Sequence, residues 1–311
     1  MFKKFFIICN FFIFCNGIVQ AGQEIVAVQS SNLKPFEQAL DGFKNVCKAN
    51  IKQLVLSEMK GADIVEKIQD IDPDMVLAIG NEALRKVRKI HDIPIIYFMV
   101  LNPQSILSEE QNITGISLNI PPRKQLSTFT SALPELKRIG IIFDPSISGA
   151  LIEEVQSAAA ESGKILVAQK VHSSREVPSA LLDMAGKIDV LWMLPDLTVI
   201  TRMNVEFLLL FCLENKLPVI AFSEKYVALG ALLSVGIDAF DIGRQAGEMA
   251  QQILSENDLT YARHDGPRKI ALRFNPQIAR KTIVSINTQI VRNLGIRVDD
   301  EIMKDARKIN F

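Results

Sequence analysis

The chain has 311 residues, 48% of them hydrophobic and 23% charged, with 35 basic residues against 35 acidic ones. That balance describes a globular chain with ample core, in one large or two ordinary domains, and excludes intrinsic disorder. Zero formal charge and the lack of any Lys/Arg-rich run leave no electrostatic footprint for nucleic acid.

The amino terminus carries Lys3-Lys4, an apolar run from Phe5 to Val19, and the small-x-small site Val19-Gln20-Ala21. This is the pattern of a secretory signal cleaved after residue 21. The run holds Asn10 and Asn16 and is shorter than the roughly 18 or more residues of a spanning helix. A retained anchor is the alternative, and no lipobox precedes Cys9 or Cys15. Cleavage removes two lysines and no acids, leaving 33 basic against 35 acidic groups. The expected location is periplasmic or secreted.

From Glu24 onward, strand, polar turn and helix patterns alternate. Strands are predicted at Glu24–Gln29, Ile51–Ser57, Asp74–Ile79, Ile93–Val100 and Ile113–Leu118. Pro121-Pro122 then marks a crossover. A second series follows at Arg138–Phe143, Ile165–Val171, Val190–Leu194, Val219–Phe222 and Ala231–Val235, with a helix from Ala150 to Ser162. An amphipathic helix then carries Ile242, Ala246, Met249 and Ile253. Glu256–Pro267 reads as a loop, Arg268–Phe274 as an edge strand, Ile283–Asn287 as a strand, and helices are expected from Thr288 and from Asp299.

The two series resemble each other. Asp74-Met75-Val76-Leu77-Ala78-Ile79, a helix, then Ile93-Pro94-Ile95-Ile96-Tyr97-Phe98 returns as Asp189-Val190-Leu191-Trp192-Met193-Leu194, a helix, then Leu217-Pro218-Val219-Ile220-Ala221-Phe222. The fold expected is therefore α/β, with two doubly wound parallel-sheet lobes, a hinge and a cleft between them. Residues 22–120 would form the N-terminal lobe, completed by about 240–285, and 121–239 the C-terminal lobe, completed by the tail 286–311.

Several blocks carry a family resemblance. They are Ile113-Thr114-Gly115-Ile116, Asp144-Pro145, Ser223-Glu224-Lys225-Tyr226-Val227 with Ser234-Val235-Gly236-Ile237-Asp238, Ile242-Gly243-Arg244-Gln245-Ala246-Gly247, and Ile286-Asn287 with Leu294-Gly295-Ile296. In order and spacing these resemble the ABC-transporter solute-binding proteins of the tryptophan/tyrosine-binding type. The resemblance covers residue 24 to the end. It implies a type I periplasmic-binding fold that closes like a hinge around one small ligand. It also implies an ABC permease as partner, or alternatively a membrane receptor or sensor kinase that reads ligand occupancy. The chain departs from the family at Asn102-Pro103, where Asp-Pro is common, and at Asp196-Leu197, where Asp-Asn is common. Those departures point to a ligand other than the aromatic amino acids.

In open α/β sheets small ligands bind outside the carboxyl ends of the strands. The residues expected there are Ser30, Ser31, Gly80, Asn81, Asn102, Asp144, Ser146, Asp196, Ser223, Glu224 and Asp238. Helix starts after Ser30-Ser31, Gly80-Asn81 and Asp144-Pro145-Ser146 favour an anion such as a carboxylate. Asp196, Glu224 and Asp238 favour an ammonium, so a zwitterionic amino acid would suit both sets. Each has a plain structural alternative: Ser30, Ser31, Asp144 and Asp238 are equally good helix caps.

Catalysis finds little support. His91, His172 and His264 lie far apart with no metal-ligand spacing, and no nucleophile elbow, dinucleotide or phosphate-loop motif is present. Cys47 and Cys212 sit inside helical patterns and read as buried free thiols. No enzyme, cofactor or metal is expected, and the chain is expected to act as a monomer.

Overall fold

The structure, a computed structural model, describes residues 23–59, 61, 63–255, 259–262, 269–273 and 275–309. The expected signal segment 1–21, His264 and most of the expected loop Glu256–Pro267 lie outside them. The first lobe opens with β1 (Glu24–Gln29), α1 (Lys34–Val46), β2 (Asn50–Val55), α2 (Ile64–Ile71), β3 (Met75–Ile79), α3 (Asn81–Val87), β4 (Ile95–Val100) and β5 (Ile113–Ser117). The second begins with α4 (Pro122–Ala132), β6 (Arg138–Phe143), α5 (Pro145–Glu161), β7 (Ile165–Lys170), α6 (Val177–Met184) and β8 (Val190–Trp192). It continues through α7 (Arg202–Glu214), β9 (Val219–Ala221), α8 (Glu224–Ala228) and β10 (Leu233–Ile237).

The chain then returns to the first lobe with α9 (Ala239–Ser255), the pair β11 (Leu259–Ala262) and β12 (Lys269–Leu272), and β13 (Gln277–Ile278). It crosses back for β14 (Thr282–Asn287), α10 (Thr288–Leu294), α11 (Asp300–Asp305) and β15 (Arg307–Ile309). The strand orders are β13-β5-β4-β3-β1-β2 and β15-β14-β10-β9-β8-β6-β7. Among the described residues, only the β10–β14 pairing within these two sheets is antiparallel. This is the two-lobed, doubly wound architecture expected from the sequence.

β3 and β4 are buried at every residue, because helices cover both faces of a parallel sheet. The edge strands β2 and β7 alternate with exposed positions instead. The internal repeat has a physical basis. Asp74, ahead of β3, accepts the backbone N–H of Glu24 at 2.8 Å, and Asp189, ahead of β8, accepts that of Arg138 at 2.8 Å. Each aspartate staples the start of its strand to the start of its neighbour. The two prolines match as well: Val76 N–H donates to the carbonyl of Pro94 and Leu191 N–H to that of Pro218, both at 2.9 Å.

α9 packs along α1 at close range. A Cβ on Gly243 would sit 1.7 Å from the carbonyl oxygen of Ala39, and one on Gly42 would sit 2.0 Å from that of Phe240. Glycine is therefore what lets the backbones meet, and Phe43, Ala246 and Ala250 fill the seam between them.

Several sequence expectations are corrected. The helix expected from Ala150 begins at Pro145, because Asp144 caps it and proline is tolerated in a first turn. Leu259–Ala262 is a strand rather than loop. Its partner Lys269–Leu272 forms a hairpin with it, not an edge of a main sheet. The segment after α11 ends in a strand, β15. Cys47 is the C-cap of α1 rather than a mid-helix residue, and Cys212 lies within α7. Both are buried free thiols in different lobes. Burial raises the Cys47 pKa and pushes that of Cys212 up to about 12.

Candidate functional site

Both sheets have a point where the strand order reverses, between β1 and β3 in one and between β6 and β8 in the other. Such points are the usual ligand crevices of open α/β sheets. In the first lobe Ser30 follows β1 and Gly80 follows β3. The N–H of Ala83 donates to Ser30 Oγ at 2.9 Å, so Ser30 caps α3 from the neighbouring strand. Gly80 has φ 93°, and a Cβ there would strike Ser30 Oγ at 2.6 Å and the ring of Phe36 at 2.8 Å. Asn81 grips the backbone of Leu101 through both ends of its amide, at 2.9 and 3.0 Å. Asn102, in left-handed backbone with φ 55°, takes the side-chain oxygen of Asn119 on its N–H. Ser31 lies half-buried at the same tip.

The second lobe holds a tighter cluster. Asp196 is 0% exposed. Its carboxylate accepts the N–H of Asp144 and the hydroxyl of Ser148, both at 2.8 Å, and the N–H of Thr198 at 3.0 Å. Asp144 accepts the N–H and hydroxyl of Ser146 and the hydroxyl of Thr198. Those donors, Ser146 first, hold the Asp144 carboxyl below its ordinary pKa. Asp144, Ser146 and Asp196 thus satisfy each other within one lobe.

The remaining expected residues meet elsewhere. A cavity of about 850 Å³ runs between the lobes and is lined by Ser223, Glu224 and Asp238. The first lobe contributes Lys34 and Gln38 from the start of α1, with Leu101 and Leu118 from strand ends. The crossings contribute Ile120, Ile237 and Ile283. Ser223 caps α8 through the N–H of Lys225. Asp238 caps α9, accepting the N–H groups of Phe240 and Asp241 at 3.1 Å, and pairs with Lys281 at 2.8 Å. Glu224 also directs its carboxylate across segments: Oε2 accepts Ser285 Oγ at 3.1 Å and Arg307 Nη1 at 2.7 Å.

Ser285 and Arg307 also line the cavity and were not anticipated from the sequence. Arg307 lies 83 positions from Glu224, and no local pattern marks it. Ser148 and Thr198 had a readable cue, since hydroxyls close behind an acid at a helix start are natural partners for it. Tyr97 is a core residue at 1% exposure, and Phe36 packs on Gly80. Tyr226 lines a separate hollow of about 630 Å³ on the outer side of the second lobe, between α7 and α8. A third hollow, of about 700 Å³, opens near Asp189 and Pro218 at the strand starts of the same lobe. Of the three, the 850 Å³ cavity is the one that both lobes line. Its size and its mix of apolar walls with a few polar groups suit a small organic molecule.

Residues 36–310 match a family model described as ABC transporter substrate binding protein. A tyrosine-binding protein of Clostridioides difficile (strain R20291) is 30% identical over 200 residues, 61% of this chain, and the match spans 57% of that relative's length. Among solved structures, the ligand-free, open form of a substrate binding protein with adhesive properties from Clostridium difficile has a TM-score of 0.76 at 22% identity. It covers 93% of this chain and 99% of its own. An ABC domain from Streptococcus pneumonia in complex with L-Trp has a TM-score of 0.61 at 20% identity, covering 93% and 100%. At these identities the two structures show a shared fold.

Proposed function

We propose that this chain, which belongs to the ABC transporter substrate binding protein family, captures an amino acid or similar small molecule between its lobes and delivers it to an ABC permease. The observation that carries this is the 850 Å³ cavity, whose walls come from both lobes and from the crossings that join them. A solute held there would contact both halves at once, so its binding energy is available to hold them closed. The name of the 30% identical relative, a tyrosine-binding protein, supports an amino acid as the class of ligand. The amino-terminal pattern Lys3-Lys4, Phe5–Val19, Val19-Gln20-Ala21 supports export.

The test is a thermal-shift panel of single amino acids, small carboxylates, nucleosides and sugars on the chain lacking residues 1–21. At about 100-fold excess over the dissociation constant, a bound ligand adds roughly 2.7 kcal/mol of stability. That raises the melting temperature by several degrees. Silence from every class would remove the capture role. Delivery is tested by reconstituting uptake with the cognate permease, which fails without this chain if the proposal holds.

A further inference from the structure

We propose that Glu224 and Arg307 form an exchangeable ion pair that reads the zwitterionic head of an α-amino acid. On binding, Glu224 takes the ligand's ammonium in place of Arg307, and Arg307 takes the ligand's carboxylate. This rests on the interlobe cavity being the ligand site.

Three segments distant in sequence converge on this pair. Glu224 comes from the start of α8, Ser285 from β14, and Arg307 from β15. Ser285 is 3% exposed, and its hydroxyl fixes the Glu224 carboxylate from below. Among the described residues the contact with Arg307 is made by Nη1 alone, at 2.7 Å, with no second bond from the guanidinium. A guanidinium has five N–H donors in a fork that matches a carboxylate at two points. One-point contact leaves most of that capacity unused. Both side chains are about half exposed, 54% for Arg307 and 43% for Glu224, so the pair is weak and gives way readily.

The cavity wall carries both signs of charge. Lys34, Lys225 and Arg307 line it on the basic side and Glu224 and Asp238 on the acidic side. Asp238 is already paired with Lys281, which does not line the cavity. Glu224 and Arg307 thus bring one charge of each sign to the cavity wall, one for each end of a zwitterion. Phe222, Leu118 and Phe240 supply apolar wall for the rest of the molecule. The class of ligand that answers these features is an α-amino acid with an apolar side chain.

The experiment measures, by calorimetry, the binding of each of the twenty L-α-amino acids, then of the amide and the N-acetyl derivative of any that binds. These are run on the protein and on its Arg307→Gln and Glu224→Gln variants, with Arg202→Gln, an exposed pair on α7, as control. The expected result is that the parent protein binds the free amino acid at least about tenfold more tightly than either derivative. Arg307→Gln loses the preference over the amide, Glu224→Gln loses the preference over the N-acetyl form, and Arg202→Gln changes neither. Unliganded melting temperatures of the two variants stay within a degree or two of the parent, because an exposed pair contributes little. Unchanged discrimination in both variants overturns the exchange. Binding of a sugar or nucleoside that neither substitution alters overturns it too, while leaving capture in the cleft standing. Binding of nothing removes both.

Discussion

The ammonium of Lys281 lies 2.8 Å from the carboxylate of Asp238, which ties the second chain crossing between the lobes to the third. Next to it Arg280 bonds Asp241 and Glu248 of α9, and Lys124 donates to the carbonyl of Arg280 from beside the first crossing. All three crossings are thus fastened at one place.

That fastening has a pH signature. Burial works to raise the Asp238 pKa, but Lys281 and the N–H groups of Asp241 and Phe240 outweigh it and hold the carboxyl below its ordinary value. A depressed folded pKa means stability that is complete above the unfolded value of about 3.9 and is lost as pH falls through the folded one. Asp238→Asn should therefore melt lower than the parent at pH 6 and approach it below about pH 4. Parallel melting curves across that range would refute the assignment.

The enclosure of Asp196 predicts a structural role for it. Its carboxylate is fully enclosed and accepts three donors of its own lobe. Asp196→Ala leaves those donors without a partner and should cost about 2–4 kcal/mol in denaturant unfolding. Affinity of the folded fraction for any ligand of the interlobe cavity should stay within about twofold. A large affinity loss with unchanged stability would return Asp196 to the binding site.

Gly243→Ala places a methyl where the carbonyl of Ala39 already stands. Parting α9 from α1 to admit it should cost about 1–3 kcal/mol, or more. Gly149→Ala, in α5 with nothing within 4 Å of the added carbon, should instead stabilise by about 0.5–1 kcal/mol. Chemical denaturation of both variants checks the pair, and equal effects would contradict the packing described.

The two thiols offer a further check. A thiol reagent at pH 8 should label neither Cys47 nor Cys212 in the folded chain, because burial holds both protonated and out of reach. Both should react at once in denaturant. Fast labelling of either in native buffer would show that its helix is not packed as described.

Much of the fold was legible because its signals are local. The Asp-led strands at Asp74 and Asp189 and the prolines at Pro94 and Pro218 repeat in the sequence because the same backbone staples recur in both lobes. The site was less legible. An acid at a strand end reads alike whether it faces a ligand, as Glu224 faces the cavity, or is saturated by neighbours, as Asp196 is. Position along the chain gives the strand end, but the partner that decides between them is remote: Arg307 for Glu224, Ser148 and the Asp144 N–H for Asp196. Short elements such as α8 and β15 were missed because a few residues carry too little periodicity to show.

The helix pairing held by Gly42 and Gly243 has a consequence for how the polypeptide matures. The α1 surface around Ala39 and Phe43 finds its cover only when α9 emerges, after nearly the whole second lobe has been translated. The second lobe in turn waits for β14. Neither half is a contiguous stretch of the chain: the first lobe is complete only with β13 and the second only with β15.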